Sequence, residues 1–257
     1  MNEPNSPRGV LKFRLFGIPV SIHPYAWLLL AVLGGAFGVN DGDDVSRVAV
    51  FVAAGMVCLL VHEFGHALVG RATGAVVEGI EVAGLGGTTS FAMLPAARWG
   101  FVLTLLAGPV ASLLLGGVLG LAFGAQLGNP WVGVRYAYLM PWMDTLPLGL
   151  QQELVVGLYT HEVAPFLLQV YSVGMLICFW WSVFNLLPVF PLDGGKLLGS
   201  MLNNYLVPCV SGLLLSGGLA VWALVTGQWF NMMILGYLAF INYQYLRVFF
   251  RRRRGGE

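Results

Sequence analysis

Residues 45–70 read VSRVAVFVAAGMVCLLVHEFGHALVG, and this stretch decides the fold. Val48 to Val61 is a run without a charge, after which His62, Glu63 and His66 place three ionisable groups within five positions. About 20 apolar residues cross the ~30 Å hydrocarbon layer of a bilayer as a helix. A length of 26 residues with one arginine near its start therefore predicts a membrane-spanning helix that carries its own polar cluster.

Working outward, the remainder of the chain shares that character. Of 257 residues, 58% are hydrophobic and 10% charged, whereas soluble domains run near ~25% charged. A water-soluble fold of this length has no way to hide so much apolar surface, so the bilayer is part of its solvent. Five further apolar segments stand out, which gives spans at 24–39, 45–70, 101–124, 165–187, 207–226 and 229–250, the first short and extendable back to Ile18. The class expected is an α-helical polytopic membrane protein with about six transmembrane helices and a short re-entrant, β-like loop after the second. That loop is 75–91, where small and apolar residues alternate around Gly84, Gly86 and Gly87. A turn is expected over 188–204, around Pro191, Asp193, Gly194 and Gly195. The mixed, Trp- and Tyr-containing stretch 126–164 suits the membrane interface.

Charge supplies orientation. With the N-terminus in the cytoplasm and six spans, eleven of the 13 Lys and Arg fall on the cytoplasmic side, leaving only Arg47 and Arg135 outside. Both termini are then cytoplasmic, and the expected location is a bacterial inner membrane, with the arginine run 251–254 against anionic lipid. Net charge is +1, which gives no argument for nucleic acid. Met1–Phe16 lacks the apolar core and small-residue end of a cleaved leader. Cys58, Cys178 and Cys209 are an odd number, widely spaced in sequence and set in apolar stretches, which suits core residues rather than disulfides.

The chemistry sits in His62-Glu63-x-x-His66. Histidines at i and i+4 share one helix face and reach a single metal ion, and Glu63, about 100° round the helix, is placed to take a proton from water there. Chance alone yields such a motif in a chain of this composition at a probability of about 0.002. A purely structural polar cluster would leave unexplained three groups that each cost ~2–3 kcal/mol to place in an apolar span. Counting from Gly70, the two histidines lie roughly 6–12 Å below the cytoplasmic surface. A catalytic zinc keeps three protein ligands and one open position, and Asp193, expected on the same side, is the third candidate. The other reading of Asp193 is a helix cap, or a surface pair with Lys196.

These motifs resemble the site-2 protease family of intramembrane zinc metalloproteases. His62-Glu63-x-x-His66 is similar to that family's first motif, and Asn185-x-x-Pro188-x-x-x-Leu192-Asp193-Gly194 to its second. Gly86-Gly87-x-x-x-Phe91 and Ala107-Gly108-Pro109 look like further family features. The layout resembles the six-span, sporulation-type branch without an added PDZ or nucleotide-sensing domain. The resemblance implies one Zn2+ per chain held by His62, His66 and Asp193, Glu63 as general base, and Asn185 on the substrate strand. Gly86 and Gly87 suit a strand edge that receives an unwound substrate, or simply a tight turn.

The expected organisation is a single protease domain over 1–257, with a catalytic core at about 18–201 and two further helices at about 207–250. The expected activity is endopeptidase cleavage in or near the cytoplasmic end of membrane-spanning segments of substrate proteins. The bilayer and a regulatory membrane partner complete the environment. The competing reading is a zinc or proton transporter using the same His/Asp cluster, for which repeated halves and polar residues toward both faces are expected. His23 is a lone interfacial histidine near the metal's level, and His161-Glu162 is expected to face solvent on the other side.

Overall fold

The computed structural model describes residues 9–84, 86–139 and 163–254, together with 148, 152, 155–157 and 160. The chain divides into two compact units: one holds the residues up to Ala96 with Ala107–Ser182, the other Ala97–Leu106 with the residues from Val183 onward.

The first unit opens with β1 (Leu11–Leu15) and β2 (Ile18–Ile22), joined through Phe16 and Gly17. Both turn residues have positive φ, +51° and +75°, the conformation that matches the twist of a two-residue hairpin. After α1 (Pro24–Leu33) comes α2 (Gly42–Ala72), then β3 (Val76–Ala83) and β4 (Gly86–Met93). The four strands form one sheet in the order β1-β2-β3-β4, with β2 and β3 parallel and the outer pairs antiparallel. Alternation explains which face is covered: Ile18, Val20 and Ile22 of β2 and Ile80 and Val82 of β3 are buried against Met56, Leu59, Phe64 and Ala67 of α2. Helices α3 (Arg98–Gln126), α4 (Pro130–Leu139) and α5 (Pro165–Asn185) follow. Gly120, Gly124 and Gly133 let α3 and α4 touch backbone to backbone, since a Cβ on Gly133 would lie 2.0 Å from Gly120 O.

Helix α2 is built to cross. Asp41 caps it by accepting a hydrogen bond from Asp44 N at 2.9 Å, acidic residues occupy its first turn and Arg71 its last, as the helix dipole favours. At ~1.5 Å per residue its length exceeds the hydrocarbon layer.

The second unit takes in α6 (Asp193–Leu202), α7 (Leu206–Val225) and α8 (Trp229–Arg254). Helices α7 and α8 pack along each other. Arg98 donates to the Ser200 carbonyl at 2.7 Å and to that of Met201, which satisfies the C-terminal end of α6.

Among the described residues four helices, Gly42–Ala72, Arg98–Gln126, Pro165–Asn185 and Leu206–Val225, are long and apolar enough to cross a membrane. They coincide with the second to fifth spans expected, and large apolar side chains such as Val110, Leu114 and Val118 point outward along α3, as lipid-facing positions require. The differences from six lie at the chain's two ends. The first segment is a helix of 10 residues, and its expected extension to Ile18 is instead strand β2. The alternation Ile18-Pro-Val20-Ser-Ile22 is a period of two, which pairs in a sheet and cannot continue a helix. The last is long enough at 26 residues, but Asn231, Asn242, Gln244 and three tyrosines lower its hydropathy. The re-entrant loop at 75–91 is the β3–β4 hairpin, and the turn expected over 188–204 ends at Leu192, where α6 begins. His161-Glu162 and most of 140–162 lie outside the described residues.

Candidate metal centre

Because α2 is regular through residue 72, the spacing of His62 and His66 brings both rings to one face. Their Nε2 atoms lie 3.1 Å apart, and a ligand atom of each, with one of Glu63, lies within 4.8 Å of the others. Two nitrogens at ~2.0–2.1 Å from a tetrahedral zinc are about 3.3 Å apart, so the pair fits one ion. All three side chains are buried, at 2%, 5% and 7% exposure for His62, Glu63 and His66, which keeps water from screening them.

Neighbouring elements set the orientation of each group. Ser112 Oγ on α3 lies 3.2 Å from His62 Nδ1, so the other nitrogen is the one turned to the cluster. Thr89 of β4 donates its hydroxyl to Glu63 Oε2 at 2.7 Å and to the Glu63 carbonyl at 3.0 Å. Gly108 leaves the room in which the histidines meet: a Cβ there would sit 2.3 Å from His66 Nε2 and 2.8 Å from His62 Nε2. One turn along α2, a Cβ on Gly65 would lie 2.4 Å from Ala107 O. The Ala107-Gly108-Pro109 stretch is therefore a close helix–helix approach that shapes the site. Two imidazoles at ligand spacing, a buried carboxylate and a glycine where any side chain would collide with both rings together suit a bound zinc.

Gly86 and Gly87 open β4, a sheet edge, and a Cβ on Gly87 would come within 2.4 Å of Glu63 Cγ. The edge strand thus runs directly against the carboxylate. Among the described residues no strand pairs with the outer side of β4.

Asp193 and Asn185 belong to the second unit. Asp193 is the first residue of α6, 6% exposed, with Lys196 Nζ at 3.5 Å from its Oδ1. The pair with Lys196 exists, but burial removes the surface version of that reading. Asn185 is the last residue of α5. His23 is engaged elsewhere: its Nε2 lies 2.7 Å from Glu81 Oε1, and its backbone N–H bonds Val82 O at 3.0 Å.

The sequence model of peptidase family M50 matches residues 50–225. The chain belongs to peptidase family M50. Both motif regions lie inside the match, and the membership bears out the resemblance to site-2 proteases. A candidate zinc metalloprotease of Synechocystis sp. is 28% identical over 199 residues, covering 73% of this chain and 42% of that protein. A zinc metalloprotease of Methanocaldococcus jannaschii is 25% identical over 192 residues, covering 75% and 45%. The M50 chain described here thus spans less than half the length of these two relatives. The site-2 protease structure from Methanocaldococcus jannaschii superposes with a TM-score of 0.58 at 21% identity, over 92% of this chain and 95% of that one. That likeness concerns the fold, and with the four apolar helices it describes an integral membrane protein of the M50 type.

Sequence reading missed two hydroxyls of this M50 site. Ser112 stands four residues after Gly108 in an apolar helix whose other hydroxyl is Thr104, and that spacing was the available signal. Thr89 offered none beyond strand alternation. The three cysteines are buried and free, core residues as expected.

Proposed function

We propose that the chain is a zinc metalloendopeptidase that cleaves membrane-spanning segments of other proteins at a site inside the membrane. The observation that carries this reading is the buried pair of Nε2 atoms 3.1 Å apart, beside a carboxylate that an edge strand touches. In this reading His62, His66 and Asp193 hold one zinc per chain. The burial of Asp193 and its place in the second family-like motif support its role as third ligand. Zinc, when bound, supplies Lewis acidity toward a carbonyl oxygen and makes water more acidic. Glu63 takes the proton from the attacking water and delivers it to the leaving amine. Thr89 holds the carboxylate in place for both transfers.

A substrate helix hides its peptide bonds in its own i to i−4 hydrogen bonds and must unwind before cleavage. The outer edge of β4 offers unpaired backbone groups to the unwound segment, with Gly86 and Gly87 allowing close approach and Asn185 helping to hold it. Both units then serve one protease domain. The charge partition supports an inner-membrane protein with both termini cytoplasmic, cleaving near the cytoplasmic end of its substrates.

The test compares membrane-protein fragments in cells carrying wild type or Glu63→Gln. Fragments ending inside apolar segments should vanish with the variant, and an unchanged fragment set would sink the reading. Cysteine labelling at Asp43 and at Gly255 in intact cells tests orientation, with the former expected to react and the latter not.

A further inference from the structure

The segment between α5 and α6 must leave helix geometry and then start a new helix with Asp193 at its first position. Pro188 and Pro191 have no N–H to give, and the turn keeps only a few local bonds, such as Val189 N to Leu187 O at 2.7 Å and Leu192 N to Val189 O at 2.9 Å. The turn folds tightly over the start of α6. A Cβ on Gly194 would lie 2.1 Å from Leu186 O, and one on Gly195 2.5 Å from Val189 O. These two glycines are what allow the carboxylate to follow so closely on the turn.

Two carbonyls of this turn receive side-chain donors from the C-terminal helices. Ser211 of α7 donates to Pro188 O at 2.7 Å, and Asn242 of α8 donates through Nδ2 to Phe190 O at 2.6 Å. Asn242 is fully buried, and its amide also donates to Leu238 O at 2.8 Å. Gly212 makes room for it, because a Cβ there would lie 2.4 Å from Asn242 Oδ1. That oxygen finds no hydrogen-bond partner among the described residues. Burying a whole amide while using only its donor end is costly, and the donor is spent on the turn. The Phe190 ring adds an edge contact with Tyr245, centroids 4.5 Å apart.

We propose that Asn242 is a positioning residue for the Asp193 carboxylate, with Ser211 as its second anchor on the same turn. The inference rests on the reading of Asp193 as a zinc ligand. It gives the last helix, which lies beyond the family match at residue 225, a task in the metal site. Removing the donor lets the turn relax and misdirects Asp193, and partners of this outer kind are worth about 10- to 100-fold in metal affinity.

The experiment titrates the purified full chain in detergent with zinc against a chromophoric chelator. Wild type, Asn242→Leu, Asp193→Ala, the double variant and Asn231→Leu at the exposed start of α8 are compared, with helix content measured for each. Asn242→Leu should weaken zinc about 10-fold or more, Asn231→Leu should not, and the effect of Asn242→Leu should disappear in the Asp193→Ala background. Affinity within twofold of wild type for Asn242→Leu, with Asp193→Ala impaired, overturns the positioning role and leaves Asp193 a ligand. Full affinity in Asp193→Ala overturns the ligand reading and this inference with it. An effect of Asn242→Leu that persists undiminished in the double variant shows that it acts elsewhere. Should Asn242→Leu fail to fold, Ser211→Ala decides: zinc affinity equal to wild type overturns the proposal.

Discussion

Helix α2 and the turn before α6 each present acidic chemistry in an apolar setting, but they hold it in opposite ways. In α2 the periodicity of the backbone places His62, Glu63 and His66, and neighbours such as Gly108, Ser112 and Thr89 only trim their orientation. In the turn, no local periodicity exists. Asp193 is placed by two glycines packed under backbone and by donors from α7 and α8, more than 15 residues further along the chain. A helix carries its geometry in its own hydrogen bonds, whereas a proline-containing turn in an apolar setting must obtain donors from elsewhere. Mutations should therefore act locally and chemically in α2, and through distant partners at the turn.

The sharpest test of the local side is Glu63→Gln. It should retain zinc and lose about 10²- to 10⁴-fold in kcat, measured with a purified membrane-segment substrate. Loss of the metal in that variant would make Glu63 a ligand and break the division of roles. Next is Ser112→Ala, which removes the partner of His62 Nδ1. A 10- to 100-fold loss of zinc affinity is expected, read by chelator competition, and an unchanged value would leave the tautomer argument without force.

A smaller effect probes the turn. Gly194→Ala drives a methyl into the Leu186 carbonyl and should cost about 1–3 kcal/mol, seen as a lowered unfolding midpoint. Gly218→Ala on α7 meets nothing within 4 Å, and should be neutral or stabilising by up to ~1 kcal/mol. Equal midpoints for the two would show that the turn is not tightly packed. The smallest effect expected is at Thr89. Thr89→Val should lower kcat up to about tenfold, the ~0.5–1.5 kcal/mol of one ordinary hydrogen bond, with KM and zinc affinity held. Thr89→Ser should restore it, and a failure of serine to rescue would point to packing rather than to the hydroxyl.

What the sequence by itself determined is whatever a helix encodes in a short window. The apolar runs announced the four long spans, and the i, i+4 spacing of His62 and His66 announced the metal pair, because a regular helix converts spacing directly into geometry. The alternation in β2 was as legible in principle, but a short apolar strand beside a helix start is ambiguous until its pairing partner is known. That partner, β3, arrives some 50 residues later. Only the tertiary structure decided that Thr89 reaches Glu63, that Ser112 meets His62, and that Asn242 holds the carbonyl of Phe190. Each is a contact between elements far apart in sequence, made by a polar group that the apolar surroundings oblige to find a partner. Local periodicity carries no record of which partner it will be.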